Sequence, residues 1–265
     1  MPTAETDAPT PVVTLERRGA VALITLNRPR ALNSVNADLS AALGTALEEF
    51  DADTDLRVAV VTGAGRAFCA GMDLKEAAAG RSVNDPLHPE WGFAGIVRHP
   101  VGKPLVAAVN GPALGGGAEI VLACDLVVAD ENATFGMPEV HHGLFPAAGG
   151  VLRLQHRVPR NIAREIALTG TTVDAATAAR WGLFNQIAPA GKSVDAALEL
   201  AERVASAAPL SVHAVKRLMS WSEGQSEAEA WIENDRAFQK VLAGDDAKEG
   251  PRAFAEKRAP RWAGR

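Results

Sequence analysis

The chain has 265 residues, enough to bury a core as one large domain or two modest ones. Its 47% hydrophobic and 22% charged residues exclude a disordered, collagen-like or coiled-coil chain. The formal net charge of −5 gives no global basic footprint for nucleic acid or an anionic membrane, so an anionic ligand would need a local cationic patch.

Residues 1–11 read as a disordered lead-in; they carry acids and prolines rather than the apolar run of a signal peptide. Val12–Leu15 and Val21–Leu26, split by Glu16-Arg17-Arg18-Gly19, predict a hairpin. Asn36 can cap a helix whose apolar face runs Leu39, Leu43, Ala46, Leu47, Phe50. Arg57–Thr62 predicts a buried strand ended by Gly63-Ala64-Gly65. Lys75 to Pro104 is irregular, and so long a loop inside a compact chain suits a lid or a pocket wall. Leu105–Val109 is a strand, Asn110-Gly111-Pro112 a turn, and Gly115-Gly116-Gly117 opens a helix near Ala118. Short strands follow at Leu126–Ala129 and Ala133–Phe135.

After Val158 the pattern turns helical, with helices over Pro159–Leu168, Asp174–Trp181, Ser193–Ala207, Leu210–Ser222 and Ser226–Leu242. Strands first and helices later predict an α/β body, residues 12–200, with a helical C-terminal region, residues 201–265. No sequence repeat is visible. No stretch reaches the roughly 18 apolar residues of a membrane span. Cys69 and Cys124 have neither disulfide-framework nor zinc spacing, so a reduced, cytoplasmic setting is expected.

Several site types fail on their residues. Gly63-Ala64-Gly65 follows a strand, but Phe68 occupies the third glycine position of a dinucleotide fingerprint. There is no phosphate-binding G-x-x-x-x-G-K-[ST] and no G-x-S-x-G nucleophile elbow. His141 and His142 are adjacent and cannot face one metal as an i, i+4 pair would, so no metal site is expected.

Three features remain. Arg66–Lys75 is a small-residue turn that a ligand can approach closely. Asn110–Glu119 carries three glycines at a helix start, where free N–H groups and the helix dipole can hold an oxyanion. Phe135-Gly136-Met137-Pro138-Glu139 places a carboxylate after a proline-fixed turn. Each has a bland reading: close packing, a favourable first-turn acid, a solvated loop residue. Together the bland readings leave two unexplained acids, Glu119 and Glu139, in an apolar neighbourhood. Such a pair suits general acid–base chemistry, because desolvation lifts a carboxyl pKa toward neutrality.

These motifs, with Leu26-Asn27-Arg28-Pro29-Arg30-Ala31-Leu32-Asn33 and Glu249–Arg258, resemble the enoyl-CoA hydratase/isomerase (crotonase) superfamily over nearly the whole chain after residue 12. The resemblance implies a spiral of ββα units with a helical trimerisation region, an acyl-CoA substrate and a homotrimer or dimer of trimers. It implies no cofactor, since coenzyme A is part of the substrate. The family's oxyanion donors fall on the backbone N–H groups of Met72 and Gly116, and its catalytic acids on Glu119 and Glu139. Its coenzyme A contacts fall on Arg30, Ala31, Leu32, Ala70, Asp73, Leu74 and Lys75, with Phe254 and Lys257 approaching from the tail, in some relatives from a neighbouring subunit. Met72 departs from the alanine common in hydratases, a change that trims the acyl pocket without removing the backbone donor.

The activity so implied is reversible addition of water across the 2,3 double bond of an enoyl-CoA. The tail and Gly143–Leu154 also look like carnitinyl-CoA dehydratases, which leaves a double-bond isomerase or such a dehydratase as alternatives at the same site. A non-catalytic acyl-CoA-binding assembly protein is the alternative of another class.

Overall fold

The computed structural model describes residues 10–265, so residues 1–9 of the expected lead-in lie outside the described part. In chain order the strands and helices are β1 (Val13–Arg18), β2 (Val21–Leu26), α1 (Ala37–Ala52), β3 (Val58–Gly63), α2 (Leu74–Ala78), β4 (Leu105–Val109), β5 (Ala113–Leu114) and α3 (Gly116–Ala123). There follow β6 (Leu126–Asp130), β7 (Thr134–Gly136), α4 (Gly150–Arg157), α5 (Arg160–Thr169), β8 (Thr172–Asp174), α6 (Ala175–Arg180) and β9 (Gln186–Ala188). The chain closes with α7 (Ser193–Ala205), α8 (Pro209–Ser222), α9 (Glu227–Leu242) and α10 (Asp246–Ala255).

The main sheet has the order β1-β2-β3-β4-β6-β9, with β1 antiparallel to β2 and every other pair parallel. Both faces are covered, which is why its central strands read as unbroken apolar runs. Ile24, Leu26, Ala59, Val61, Ala107 and Val109 face α1 and α3, while Val21, Leu23, Val58, Val60, Val106 and Ala108 face α7. Asn36 caps α1 as expected, its side chain accepting the Leu39 N–H at 3.1 Å, and the helix buries Leu39, Leu43, Ala46, Leu47 and Phe50.

A second layer of very short pairings runs beside this sheet. Val35 bridges Met72, Cys69 bridges Ala113, β5 pairs with β7, and β7 with β8. Each long strand β2, β3, β4 and β6 is therefore followed by a short pairing and then a helix, the ββα spiral that the resemblance implies. The sequence shows no repeat because what recurs is backbone pairing, not residue identity.

Several elements differ from expectation. α4 begins with Gly150 after Gly149, with no side-chain cap to announce it. α10 contains Pro251 and was not expected. β5, β8 and β9 are two or three residues long, below the length at which alternation is readable. The expected boundary at residue 200 falls within α7, which runs unbroken to Ala205 against the sheet. Leu198 and Val204 of α7 pack on that sheet core. Exposed apolar residues of the C-terminal helices include Val215 and Met219 on α8 and Trp231, Ile232 and Phe238 on α9. Among the described residues no helix is long and apolar enough to cross a membrane.

Candidate active site

The turn around Met72 is shaped from below by one buried amide. Asn33, held at φ +55°, donates from Nδ2 to the carbonyls of Ala64 (3.0 Å), Ala67 (2.9 Å) and Phe68 (3.1 Å). Beyond it, Gly71 (φ +90°) accepts the Val35 N–H at 2.8 Å, and the Asp73 N–H donates to Val35 O at 2.9 Å. In such a pairing alternate residues face opposite sides. The N–H of Met72, between them, therefore turns toward the other neighbour, the Leu114–Gly116 turn.

That second turn is tied down on both sides. The Leu114 N–H donates to Cys69 O at 3.0 Å and the Gly115 N–H to Gly136 O at 2.9 Å. Gly117 has no room for a side chain because a Cβ there would overlap Cys69 O, so the two turns touch backbone to backbone. Gly116 is the first residue of α3, where the helix offers its N–H no internal partner. Among the described residues neither the Met72 nor the Gly116 N–H has a hydrogen-bond partner, and both residues line one cavity of about 460 Å³.

The same cavity holds both predicted acids. Glu119, in the first turn of α3, is 4% exposed, and its Oε1 accepts the Gly150 N–H at 2.8 Å. Burial is the main cause that pushes its carboxyl up to about 7; the Gly150 N–H opposes this, the Glu139 charge adds to it and Arg153 opposes it. Glu139 stands in the 3-10 turn Pro138–His142, where proline fixes the first position. Both its carboxylate oxygens are buried without a hydrogen-bond partner among the described residues. Burial raises its pKa as well, against a lowering by His142. Two carboxyls with raised affinity for protons thus face a space bounded by two free N–H donors.

The remaining wall is mostly apolar. Val83, Pro89, Phe93 and Val97 come from the irregular segment after α2, which is a pocket wall as expected; Leu144 and Phe145 line the cavity too. His142 lines the cavity while His141 turns away to Thr169 O at 2.8 Å. Among the described residues no group of three His, Cys, Asp or Glu side chains could hold a metal ion.

The other predicted contacts divide. Ala70 and Leu74 line the cavity. Arg30 and Ala31 lie in a 3-10 turn ended by Leu32 (φ 52°), whose carbonyl accepts the Ala70 N–H at 3.0 Å, so the three sit beside the Met72 turn. Asp73 directs its carboxylate to Arg28 (3.1 Å), Ser34 (3.3 Å) and the N–H of Lys75 (3.2 Å), and so braces the turn. Lys75 is exposed on α2. Phe254, 87% exposed, and Lys257 lie at the end of α10 and do not line this cavity within one chain.

Sequence reasoning missed Arg28, Gly150 and Phe93. The Gly149-Gly150 pair was a usable signal for the second of these, by the same logic that singled out Gly115–Gly117: paired glycines at a helix start expose backbone donors.

The sequence model described as enoyl-CoA hydratase/isomerase matches residues 16–265. A carnitinyl-CoA dehydratase of Proteus mirabilis is 43% identical over 95% of this chain and 98% of its own length. Among solved structures, an enoyl-CoA hydratase from Mycobacterium tuberculosis superposes with a TM-score of 0.92 at 44% identity, covering 97% of this chain and 100% of that one. A carnitinyl-CoA hydratase from Mycobacterium avium is 50% identical with a TM-score of 0.78 over the same shares.

Proposed function

The chain belongs to the enoyl-CoA hydratase/isomerase family, and we propose that it is a hydro-lyase that adds water reversibly across the 2,3 double bond of an enoyl-CoA thioester. The observation that carries this reading is the pair of proton-binding carboxyls, Glu119 and Glu139, facing two unpartnered N–H groups in one apolar cavity. Attack of water at C3 moves charge onto the thioester oxygen. The Met72 and Gly116 N–H groups hold that enolate oxygen, and the α3 dipole adds to them. Glu119 takes the proton from water and a protonated Glu139 gives one to C2, so hydration leaves the pair with its single proton moved from one acid to the other. Exchange with solvent resets it.

Run backward, the same steps remove water from a 3-hydroxyacyl-CoA. The names of the relatives cover both directions, and the 50% identity to the Mycobacterium avium protein favours a substituted acyl group as a second reading. Crotonyl-CoA supplied to the protein is expected to lose its enoyl-thioester absorbance. Binding without turnover of crotonyl-CoA or of a 3-hydroxyacyl-CoA would instead mean an acyl-CoA-binding assembly protein. No resident cofactor or metal enters any of these steps.

For a net-acidic chain the coenzyme A phosphates need local cations, and Arg30 and Lys75 flank the turn that bears Met72. Lys75 makes no ion pair among the described residues. A lysine that touches distant phosphates acts equally on ground and transition states. Lys75→Ala is therefore expected to raise KM about tenfold with kcat within a few-fold, and added salt to raise the wild-type KM. An unchanged KM in steady-state kinetics returns Lys75 to the solvated surface.

The working unit in this reading is a homotrimer or a dimer of trimers. The apolar side chains left open on α8 and α9 support it, and so does Phe254, which is left 87% exposed in one chain. Light scattering at micromolar concentration is expected to give a trimer or hexamer mass; a monomer contradicts it. Phe254 and Lys257 then reach the coenzyme A of a neighbouring protomer. A reducing, cytoplasmic setting suits the two buried thiols.

A further inference from the structure

A second cavity, of about 390 Å³, shares Val97 with the first and is lined by Asp125, Arg153, Arg157, Lys216 and Glu223. Most of these charges are spent locally. Arg157 donates to Cys124 O at 2.6 Å and closes the end of α3, and Lys216 pairs with Asp125 at 2.9 Å. Arg153 is different. Its guanidinium reaches the wall of the first cavity, donating to Val97 O at 2.5 Å and Ala148 O at 3.3 Å, and both of those residues line that cavity.

The backbone between these groups is built for the approach. Gly149 stands at φ +100°, and a Cβ there would overlap the Arg153 guanidinium. At the next residue a Cβ would lie 2.9 Å from Glu119 Oε1, and that residue, Gly150, donates its N–H to the same oxygen. Consecutive glycines thus carry the arginine on one and the glutamate on the next.

We propose that Arg153 is a positioning residue for Glu119: it ties Val97 O and Ala148 O across the Gly149-Gly150 turn, fixes the N–H that holds the carboxylate and sets a positive charge beside it. This rests on the role given to Glu119 above.

The charges around the pair set the sign of the effect. Glu119 is faced by Glu139 from the 138–142 turn and by Arg153 from α4, while His142 acts on Glu139. Arg153 is faced by Arg157 on its own helix, Cys124 at the end of α3 and Glu223 after α8. His99, His156, Asp125 and Lys216 line the second cavity with it. Removing the guanidinium leaves burial opposed chiefly by the Gly150 N–H. Glu119 then holds its proton to higher pH.

The test compares Arg153→Met, which keeps the stem and excludes water, with Arg153→Lys, which keeps the charge but cannot bridge two carbonyls. Carboxyl carbon NMR of the unliganded protein reads the Glu119 titration directly, and its midpoint is expected to rise by about one pH unit in Arg153→Met and to stay in Arg153→Lys. At pH 7, kcat is expected to fall roughly 10–100-fold in Arg153→Met and about tenfold in Arg153→Lys, with KM within a few-fold in both. An unmoved Glu119 midpoint in Arg153→Met overturns the proposal. Should that variant fail to fold, a wild-type kcat in Arg153→Lys overturns it. The titration uses no substrate, so a protein that fails to hydrate crotonyl-CoA would sink the function proposed above and leave this measurement standing.

Discussion

Glu119→Gln and Glu139→Gln are each expected to lower the hydration rate by about 10²–10⁴-fold, the worth of a positioned acid or base. Glutamine keeps the shape of each side chain and removes only its proton chemistry. Loss of stability is not the cause, and the pH dependence shows why. Burial lifts Glu119 from its ordinary 4.5 to about 7 in the folded protein. Between those values the folded state binds more protons than the unfolded one, so this group's contribution to stability falls as pH rises through the window and stays low above it. Glu119→Gln escapes that loss and can still accept the Gly150 N–H through its amide oxygen. It should melt no lower than wild type at pH 8, with any gain vanishing below about pH 4.5, where both states carry the proton. Near-wild-type turnover in either variant removes that residue from the chemistry. A lower melting temperature for Glu119→Gln at pH 8 would show that its ionised form is held more favourably than burial implies.

The long elements were legible because burial on both faces, or on one helical stripe, leaves a pattern. Val58–Gly63 and Leu105–Val109 are unbroken apolar runs, and α1 carries steps of three and four from Leu39 to Phe50. The Val35–Met72 and Cys69–Ala113 bridges were not legible, although they set the site. They depend on two backbones lying side by side, which places small residues in the sequence but does not say which ones meet. α4 was hidden for a related reason: a helix that begins on two glycines offers no capping side chain, and its free donor is satisfied by a glutamate 31 residues earlier.

At the site itself the residues that do chemistry were easier to find than those that hold them. Glu119 and Glu139 stood out as acids in apolar surroundings. Asn33 did not, because a buried asparagine that gathers three carbonyls looks in sequence like any turn residue. Asp73 shows the converse. It was placed among the ligand contacts by resemblance, and its carboxylate is committed to Arg28, Ser34 and the Lys75 N–H. Those three contacts brace the turn that bears Met72.

Gly71→Ala is expected to cost kcat about 10²–10³-fold, the range for losing an oxyanion donor, although residue 71 supplies no donor itself. Two separate costs meet at this position. The backbone holds φ at +90°, a conformation that strains any L side chain. A Cβ would also stand 2.8 Å from Leu114 O and 3.0 Å from the Gly116 nitrogen. Both neighbours are backbone atoms of the second turn, so the crowding cannot be relieved by rotating a side chain. The turns must move apart, and the Met72 and Gly116 N–H groups then no longer converge on one oxygen. Gly80→Ala separates the two costs, since Gly80 has φ +71° with nothing within 4 Å of its Cβ position. Strain of this kind costs on the order of 1–3 kcal/mol, so both variants should melt lower than wild type. Only Gly71→Ala should lose kcat, and its affinity for a ground-state thioester should change far less than its turnover. If Gly71→Ala turned over crotonyl-CoA as fast as Gly80→Ala, contact between the two turns would not be what sets the oxyanion geometry, and the assignment of Met72 and Gly116 as paired donors would fall with it.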